Sequence, residues 1–238
     1  MLCSGLGGLG AYWQPQLAAL GERTRVITYD QRGTGLNAGE LPHPYTIAAM
    51  ADDVADILDG GRCHFVGHAL GALVGLEIAL RHPDSLASLV LVNGWSRMDP
   101  HTRRCFAVRT GILRDSGPAA YIQAQPIFLH PAAYLSRHAD RLAREEAQAL
   151  AHFQGTETLL RRIGALSAFD VTQRLSLIRA RTLVIANRDD MLVPWTSSQA
   201  MAAAMPSATL AIFETGGHAG NVTDPAPFNA TVVEFLLS

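Results

Sequence analysis

Residues 67–71 read Gly-His-Ala-Leu-Gly and stand between an apolar strand pattern and an amphipathic helix pattern. This is the frame G-x-S-x-G of a nucleophile elbow, whose glycines allow a turn too tight for larger side chains beside the nucleophile. Ala69 occupies the nucleophile position, and a methyl group cannot attack a carbonyl. The sequence therefore predicts an elbow whose nucleophile position is vacant.

An acid and a histidine follow the elbow, in the chain order expected of Ser-Asp-His hydrolases. Asp190 stands in Arg-Asp-Asp-Met-Leu-Val-Pro at 188–194, and His218 stands in Thr-Gly-Gly-His-Ala-Gly-Asn at 215–221. We expect Asp190 to orient His218 and to stabilise its protonated form. Asp189 is the alternative acid, although the spacing to the following proline favours Asp190. In the plainer interpretation the aspartate is a helix N-cap and the histidine an ordinary loop residue.

Small residues at 4–8, Ser-Gly-Leu-Gly-Gly, follow a short strand pattern. They allow backbone N–H groups to approach a developing oxyanion, and the N–H groups of Leu6 and Leu70 are the expected donors. A glycine-rich turn is the alternative interpretation. The segment Tyr29–Gly35 predicts a structural loop in which Arg32 pairs with a carboxylate.

The elements that must position these residues alternate between strands and helices. Helices are predicted over 47–58 and 70–81 and after Pro194, and short apolar strands over 25–29, 63–66, 88–92, 182–186 and 209–213. This alternation predicts an α/β fold with a doubly wound, mostly parallel sheet flanked by helices.

The stretch between about 99 and 170 contains helical periods only, at 103–114, 118–128, 131–152 and 157–168. We interpret it as a helical cap inserted over the strand ends, where ligands of open α/β sheets bind. An ordinary helical elaboration is the alternative. The expected organisation is a hydrolase core at 1–98 and 171–238, with the cap at 99–170.

Composition excludes several classes of function. The chain has 238 residues with 48% hydrophobic and 17% charged residues and a net charge of −2, and all 19 of its basic residues are arginine. Lysine Schiff-base chemistry is therefore excluded. Three distant cysteines predict neither a disulfide framework nor a zinc site, and suit a reducing cytoplasm.

These observations limit the expected partners. The absence of a basic block argues against nucleic acid, and no apolar run reaches the roughly 18 residues of a membrane span. The N-terminal residues lack the pattern of a signal peptide. We expect a small-molecule substrate, no metal, no cofactor and a cytoplasmic location, with a homodimer left open.

Taken together, the segments resemble an α/β-hydrolase with a helical cap and, more narrowly, the RutD family of the bacterial Rut pathway for pyrimidine breakdown. The stretches at 101–106 and 151–155 are specific to that family. The full set of matching stretches spans almost the whole chain: 4–8, 29–35, 67–75, 92–95, 101–106, 124–126, 151–155, 217–218 and 221–225.

The resemblance implies that Ala69 is native, because RutD-like proteins carry Gly-His-Ala-Leu-Gly. It also implies a role in uracil catabolism, by hydrolysis either of carbamate or of 3-aminoacrylate to malonic semialdehyde and ammonia. Relatives of this fold have one or two further strands before the oxyanion segment, whereas here only Leu2 and Cys3 follow Met1. We therefore expect the N-terminal strands to be missing, through a misassigned start codon or a fragment.

Without a serine, His218 held by Asp190 is expected to act as general base on a water. A small anionic substrate needs cationic or polar partners. The expected candidates are Arg103 and Arg104 of the first cap helix, with Asn93, Gln125, His152 and Asn221 as further candidates. A catalytically silent binding or scaffold protein is the alternative function, and a cofactor-free oxygenase or lyase is a third.

Overall fold

A five-stranded sheet forms the centre of the molecule in the computed structural model, which describes every residue from Met1 to Ser238. Neighbouring strands follow chain order, and all four neighbouring pairs are parallel. The strands are β1 (Leu2–Cys3), β2 (Cys63–His68), β3 (Leu86–Val92), β4 (Thr182–Asn187) and β5 (Ala208–Phe213). The expected α/β class with a parallel sheet is confirmed.

Helices connect the strands and cover both faces of the sheet. Their bounds are α1 (Gln14–Gly21), α2 (Ile47–Leu58), α3 (Leu70–Arg81), α4 (Pro100–Leu129), α5 (Ala132–Arg137), α6 (Ala139–Ala151), α7 (Thr156–Ala168), α8 (Trp195–Ala204), α9 (Gly220–Thr223) and α10 (Pro225–Leu237). No helix combines the length and the apolar character that crossing a bilayer requires.

Alternation along the central strands divides the apolar core into two layers. In β3, Leu89 and Leu91 belong to a cluster of 40 buried residues, whereas Val90 and Val92 belong to a cluster of 10 on the other face. Successive side chains of a strand point to opposite faces, so one continuous apolar run supplies both layers. The sheet is thereby buried on both faces. A site is therefore expected at the carboxyl ends of the strands, where ligands of open α/β sheets bind.

The prediction of a strand at 25–29 is wrong. Only Thr28 forms a bridge, to Leu2, and the Leu2 N–H donates to the Ile27 carbonyl at 2.8 Å. A longer ladder has no partner, because β1 consists of two residues. The apolar pattern at 25–29 correctly indicated extended chain, but a strand also needs a neighbour with which to pair.

The helices between β3 and β4 differ in detail from the predicted ones. The two predicted at 103–114 and 118–128 are the arms of α4, which breaks at Gly117 with φ 83° and ψ −179°. The one predicted at 131–152 is divided at His138 into α5 and α6. The helix α7 closely matches the predicted one at 157–168. The division of the chain into core and cap domains stays a prediction.

Candidate active site

Ala69 lies in the tight turn that joins β2 to α3. Its backbone has φ 50° and ψ −111°, and its N–H donates to the Val92 carbonyl at 2.8 Å. A Cβ at Gly67 would lie 2.1 Å from the Gly71 carbonyl oxygen, and one at Gly71 would lie 2.2 Å from the Cys3 carbonyl oxygen. Both glycines are therefore required by backbone approach. The turn has the geometry of a nucleophile elbow, with a methyl group at its tip.

His218 pairs with Asp190 at the same edge of the sheet. His218 lies between β5 and α9, and its Nδ1 is 2.8 Å from Asp190 Oδ2, with the two side chains 2% and 1% exposed. Asp190 Oδ1 accepts the N–H groups of Leu192 and Val193 at 2.8 and 2.9 Å. Since the carboxylate faces Nδ1, the neutral ring carries its proton there, which leaves Nε2 as the basic nitrogen.

The alternative acid, Asp189, holds the loop that carries the histidine. Its two oxygens accept the N–H groups of Gly216 at 3.2 Å and Gly217 at 2.8 Å. The structure therefore gives the adjacent aspartates different contacts. Asp190 faces the imidazole, and Asp189 fixes the backbone just before His218.

His68 also packs against His218, a contact that the sequence reasoning did not predict. Its ring centroid is 4.8 Å from that of His218, and its Nε2 is 2.7 Å from the His218 carbonyl oxygen. Burial lowers the pKa of His68 to about 3, and the neighbouring His218 acts in the same direction. His68 is therefore neutral at neutral pH and adds no second positive charge beside His218.

The two expected oxyanion donors come from different segments, Leu6 from the loop after β1 and Leu70 from the start of α3. The loop and cap hydrogen bonds include no acceptor for the N–H of Leu6 or of Leu70. Leu70 is the first residue of α3, where an N–H has no intrahelical partner. The Leu6 carbonyl instead accepts from Gln154 at 3.4 Å and from Arg162 at 3.3 Å. The loop before α7 and α7 itself therefore both contact the oxyanion segment.

Arg162 is a second contact that the sequence reasoning missed. The side chain is fully buried on α7, and burial lowers its pKa. It donates to the carbonyls of Leu6 and Arg32 and to Gln31 Oε1, while Gln31 Nε2 donates to the Ser4 carbonyl. The network joins the oxyanion segment to the loop after Thr28. The predicted pairing of Arg32 with a carboxylate is confirmed, because it forms an ion pair with Asp53.

Two predicted substrate-binding residues, Asn93 and Asn221, form hydrogen bonds within the protein, and their role toward substrate stays a prediction. Asn93 Nδ2 donates to the His218 carbonyl at 2.7 Å, and Asn93 Oδ1 accepts the Asn187 N–H at 3.1 Å. Asn221 accepts from Tyr12 Oη at 2.8 Å and donates to Gln16 at 3.3 Å. These amides are occupied by protein partners because they tie the loops at the strand ends together.

The candidates on the helices between β3 and β4 also stay predictions, and they differ in exposure. Arg103, Arg104 and His152 are exposed, and His152 Nδ1 bonds only the Gln148 carbonyl, at 2.9 Å. Gln125 is half-buried and accepts from Arg109, another arginine of α4. The helical phase of α4 turns Arg109, rather than Arg103 or Arg104, toward the interior. No group of three or more His, Cys, Asp or Glu side chains is placed to hold a metal ion.

The parallel sheet, the elbow after β2 and the acid and histidine after β4 and β5 define the α/β-hydrolase class. The family profile described as alpha/beta hydrolase fold matches residues 1–225. A hydrolase from Pseudomonas aeruginosa PA01 has 29% sequence identity and a TM-score of 0.89, over 100% of this chain and 89% of that one. The enol-lactonase from Burkholderia xenovorans LB400 has 28% identity and a TM-score of 0.89, over 100% and 90%.

Within this class, the similarity narrows to one group. The "Putative carbamate hydrolase RutD" of Pseudomonas savastanoi pv. phaseolicola is 54% identical over 99% of this chain and 92% of its own length. The protein of the same name from Agrobacterium fabrum is 50% identical over 100% and 92%. The chain belongs to the RutD family of α/β-hydrolases, which confirms the resemblance seen in the sequence.

Proposed function

We propose that this chain hydrolyses a labile C–N bond in pyrimidine catabolism, either that of carbamate or that of 3-aminoacrylate, and releases ammonia. The observation that carries the proposal is the buried His218–Asp190 pair beside an elbow with a methyl group at its tip. An oriented imidazole with a free Nε2 suits proton transfer from water. A methyl at the elbow leaves no side chain that could form an acyl-enzyme.

In this mechanism His218 Nε2 takes a proton from a water, and the water oxygen attacks the substrate. With carbamate, the oxygen adds to the carboxyl carbon, the C–N bond breaks, and ammonia leaves with the proton that the imidazolium returns. The products are bicarbonate and ammonia. The N–H groups of Leu6 and Leu70 stabilise the negative oxygen of the tetrahedral intermediate.

With 3-aminoacrylate, the enamine carbon C2 first takes a proton from solvent, and the water oxygen adds to C3 of the resulting iminium. The C3–N bond then breaks while the hydroxyl on C3 returns a proton to solvent, and malonic semialdehyde and ammonia leave. His218 has the same role as with carbamate, since it takes the water proton and returns one to the leaving nitrogen. Both reactions need one water and release one ammonia, so the same pair of residues supports either.

The catalytic power available without a serine fits such substrates. A hydrolase site that lacks one triad member retains about 10³–10⁴-fold acceleration. This corresponds to about 4–5.5 kcal/mol of barrier lowering. That amount is far too small for a peptide bond. It is sufficient for a compound that already decomposes in water without a catalyst.

The test is ammonia release measured against the spontaneous rate, with carbamate and with 3-aminoacrylate. We expect the wild type to exceed the spontaneous rate with one of them, and His218→Ala to lose most of that excess. His43→Ala is the matched control, since His43 is exposed in the loop before α2. A wild type without any excess, or a folded His218→Ala that keeps all of it, would show that the chain is a binding protein or uses other residues.

A further inference from the structure

Arg109 is a buried cation without a carboxylate partner. It lies on α4, is 4% exposed, and takes part in none of the ion pairs of the molecule. Its Nη2 donates to Tyr121 Oη at 3.2 Å and to Gln125 Oε1. Its Nε and Nη1 are buried and have no hydrogen-bond partner. Such donors are costly to leave unpaired, because a charged group has lost its hydration without compensation.

The other buried arginine shows what a structural role looks like in this protein. Each of the Nε, Nη1 and Nη2 atoms of Arg162 has an acceptor in the oxyanion segment or in the loop after Thr28. Arg109 differs because two of its three nitrogens have no protein acceptor. Its position is nevertheless well defined by Tyr121 and Gln125, which hold the third nitrogen.

The surroundings of Arg109 connect it to both loops of the candidate active site. Cys105, one helical turn earlier on the same face of α4, has its Sγ 3.7 Å from the Met191 carbonyl oxygen, next to Asp190. The Phe128 ring lies 5.7 Å from the guanidinium, and the next residue, Leu129, accepts the Ala219 N–H at 3.0 Å, next to His218. Arg109 therefore lies between the segments that contact the acid loop and the histidine loop.

Aromatic rings enclose the guanidinium. The ring centroids of Phe106, Tyr121 and Phe128 lie 4.7, 5.7 and 5.7 Å from its central carbon. Rings at this distance stabilise a cation and exclude water. In such surroundings an incoming anion interacts with the guanidinium more strongly than it would in water.

We propose that Arg109 binds the carboxylate of the substrate, with Tyr121 and Gln125 orienting the guanidinium. The proposal rests on the proposed function and adds its anion-recognition residue. A planar guanidinium presents paired N–H donors that match the two oxygens of a carboxylate. Carbamate and 3-aminoacrylate share that group, so the ligand class is a small monocarboxylate with a short polar or apolar substituent.

The test measures binding without catalysis, by calorimetric titration of unreactive carboxylates. Acetate has the shape of carbamate, and crotonate has the shape of 3-aminoacrylate. Acetamide and crotonamide are their uncharged counterparts. We expect the wild type to bind at least one carboxylate tenfold or more tightly than its amide. The better-bound carboxylate indicates which of the two substrates the site fits.

Variants test whether carboxylate binding depends on Arg109. Arg109→Met should weaken carboxylate binding at least tenfold, and Arg109→Lys should weaken it less, because it keeps the charge without the paired donors. Arg114→Met is the matched control at an exposed position of the same helix, and should bind as the wild type does. Equal affinity of the wild type for carboxylate and amide would overturn the proposal even if Arg109→Met does not fold. Unchanged binding in a folded Arg109→Met would also overturn it.

The two proposals fail in different ways. If carboxylate binding depends on Arg109 while ammonia release does not exceed the spontaneous rate, the anion site stands and the proposed reaction falls. If ammonia release is accelerated while Arg109→Met leaves KM unchanged, the proposed reaction stands and the role of Arg109 falls.

Discussion

His218 is fixed by contacts at both ends of the residue. Asp190 faces its ring Nδ1, while His68 and Asn93 contact its carbonyl oxygen at 2.7 Å each. Of its two ring nitrogens, only Nε2 has no protein partner, and the elbow residue next to His68 is Ala69. These contacts hold the imidazole in one orientation, and the proposed reaction depends on that orientation.

Asp190→Asn tests that orientation while keeping size and burial. We expect it to lower the excess ammonia release about tenfold or more, because an amide favours the wrong imidazole tautomer. Asp115→Asn is the matched control, since Asp115 is exposed on α4 and the same chemical change is made away from His218. Steady-state rates corrected for spontaneous decay are the measurement. A folded Asp190→Asn with the full rate would rule out general-base catalysis by His218.

Ala69→Ser tests whether the elbow retains the geometry of a hydrolase. The hydroxyl would face an oriented histidine and two free backbone donors, so we expect weak hydrolysis of an activated ester such as p-nitrophenyl acetate. Release of nitrophenolate is the measurement, and Ala69→Ser/His218→Ala is the control. If the single variant gives no more product than this double variant, the elbow no longer presents its tip to the imidazole.

His68 should make stability depend on pH. Its pKa is about 3 in the folded protein and about 6.5 when unfolded, so the unfolded chain binds the extra proton between these values. The contribution of His68 to the free energy of unfolding is then fully present above about pH 6.5. It falls by about 1.4 kcal/mol per pH unit between pH 6.5 and about 3. Urea titrations of the wild type and His68→Gln at pH 7 and 5 measure this term, and His152→Gln is the exposed control. Parallel losses in wild type and His68→Gln would contradict the expectation.

Two residues of the candidate site follow from local signals alone. Strand-end patterns predicted the positions of Asp190 and His218, because chain order and flanking residues are short-range properties. The buried arginines were missed, although a signal exists. Arg109 stands four residues from both Cys105 and Leu113, and Arg162 stands beside Ile163 in the buried stripe of α7. An arginine within an apolar stripe is evidence of a buried cation.

At the scale of elements, α4 contains two glycines with opposite conformational demands. Gly117 has φ 83°, outside the range that other residues prefer, whereas Gly111 is helical, and a Cβ at either would meet no atom within 4 Å. Gly111→Ala should therefore raise stability by up to about 1 kcal/mol. Gly117→Ala should lower it by about 1–3 kcal/mol through backbone strain. Thermal unfolding of the two variants is the measurement, and a stabilised Gly117→Ala would mean that α4 straightens at no cost.

The predicted helix boundaries were correct where a local sequence signal marks them. Thr46 caps α2 by accepting the Ala49 N–H at 3.1 Å, and the helix over 70–81 has the predicted bounds. Prediction failed where a boundary depends on distant contacts. The pattern at 25–29 did not form a strand because its partner is two residues long, and no local signal marks the break at His138. Helices α1 and α10 were not predicted from the sequence. Their apolar residues pack against each other and the sheet, which are contacts between distant parts of the chain.

At the scale of the whole molecule, helices α4 and α7 and the sheet bury their side chains in one apolar cluster. Leu113 and Leu159 of the helices between β3 and β4 belong to the same group of 40 buried residues as Leu73 and Leu91 beneath them. Arg162 adds polar contacts from α7 to the segment beside Ala69. The proposed cap is therefore continuous with the core in its packing, although it forms a separate stretch of sequence.

This shared cluster has a consequence for how the protein opens. Lifting α4 or α7 from the sheet would expose the apolar cluster, so local opening should require nearly the free energy of complete unfolding. Amide hydrogen exchange monitored by mass spectrometry should then give similar protection for the central turns of α7 and for β3. Half-buried α6, with Leu142 as its only buried residue, should exchange much earlier. Protection of α7 as low as that of α6 would instead identify the cap as an independently opening unit, and substrate entry would then follow its motion.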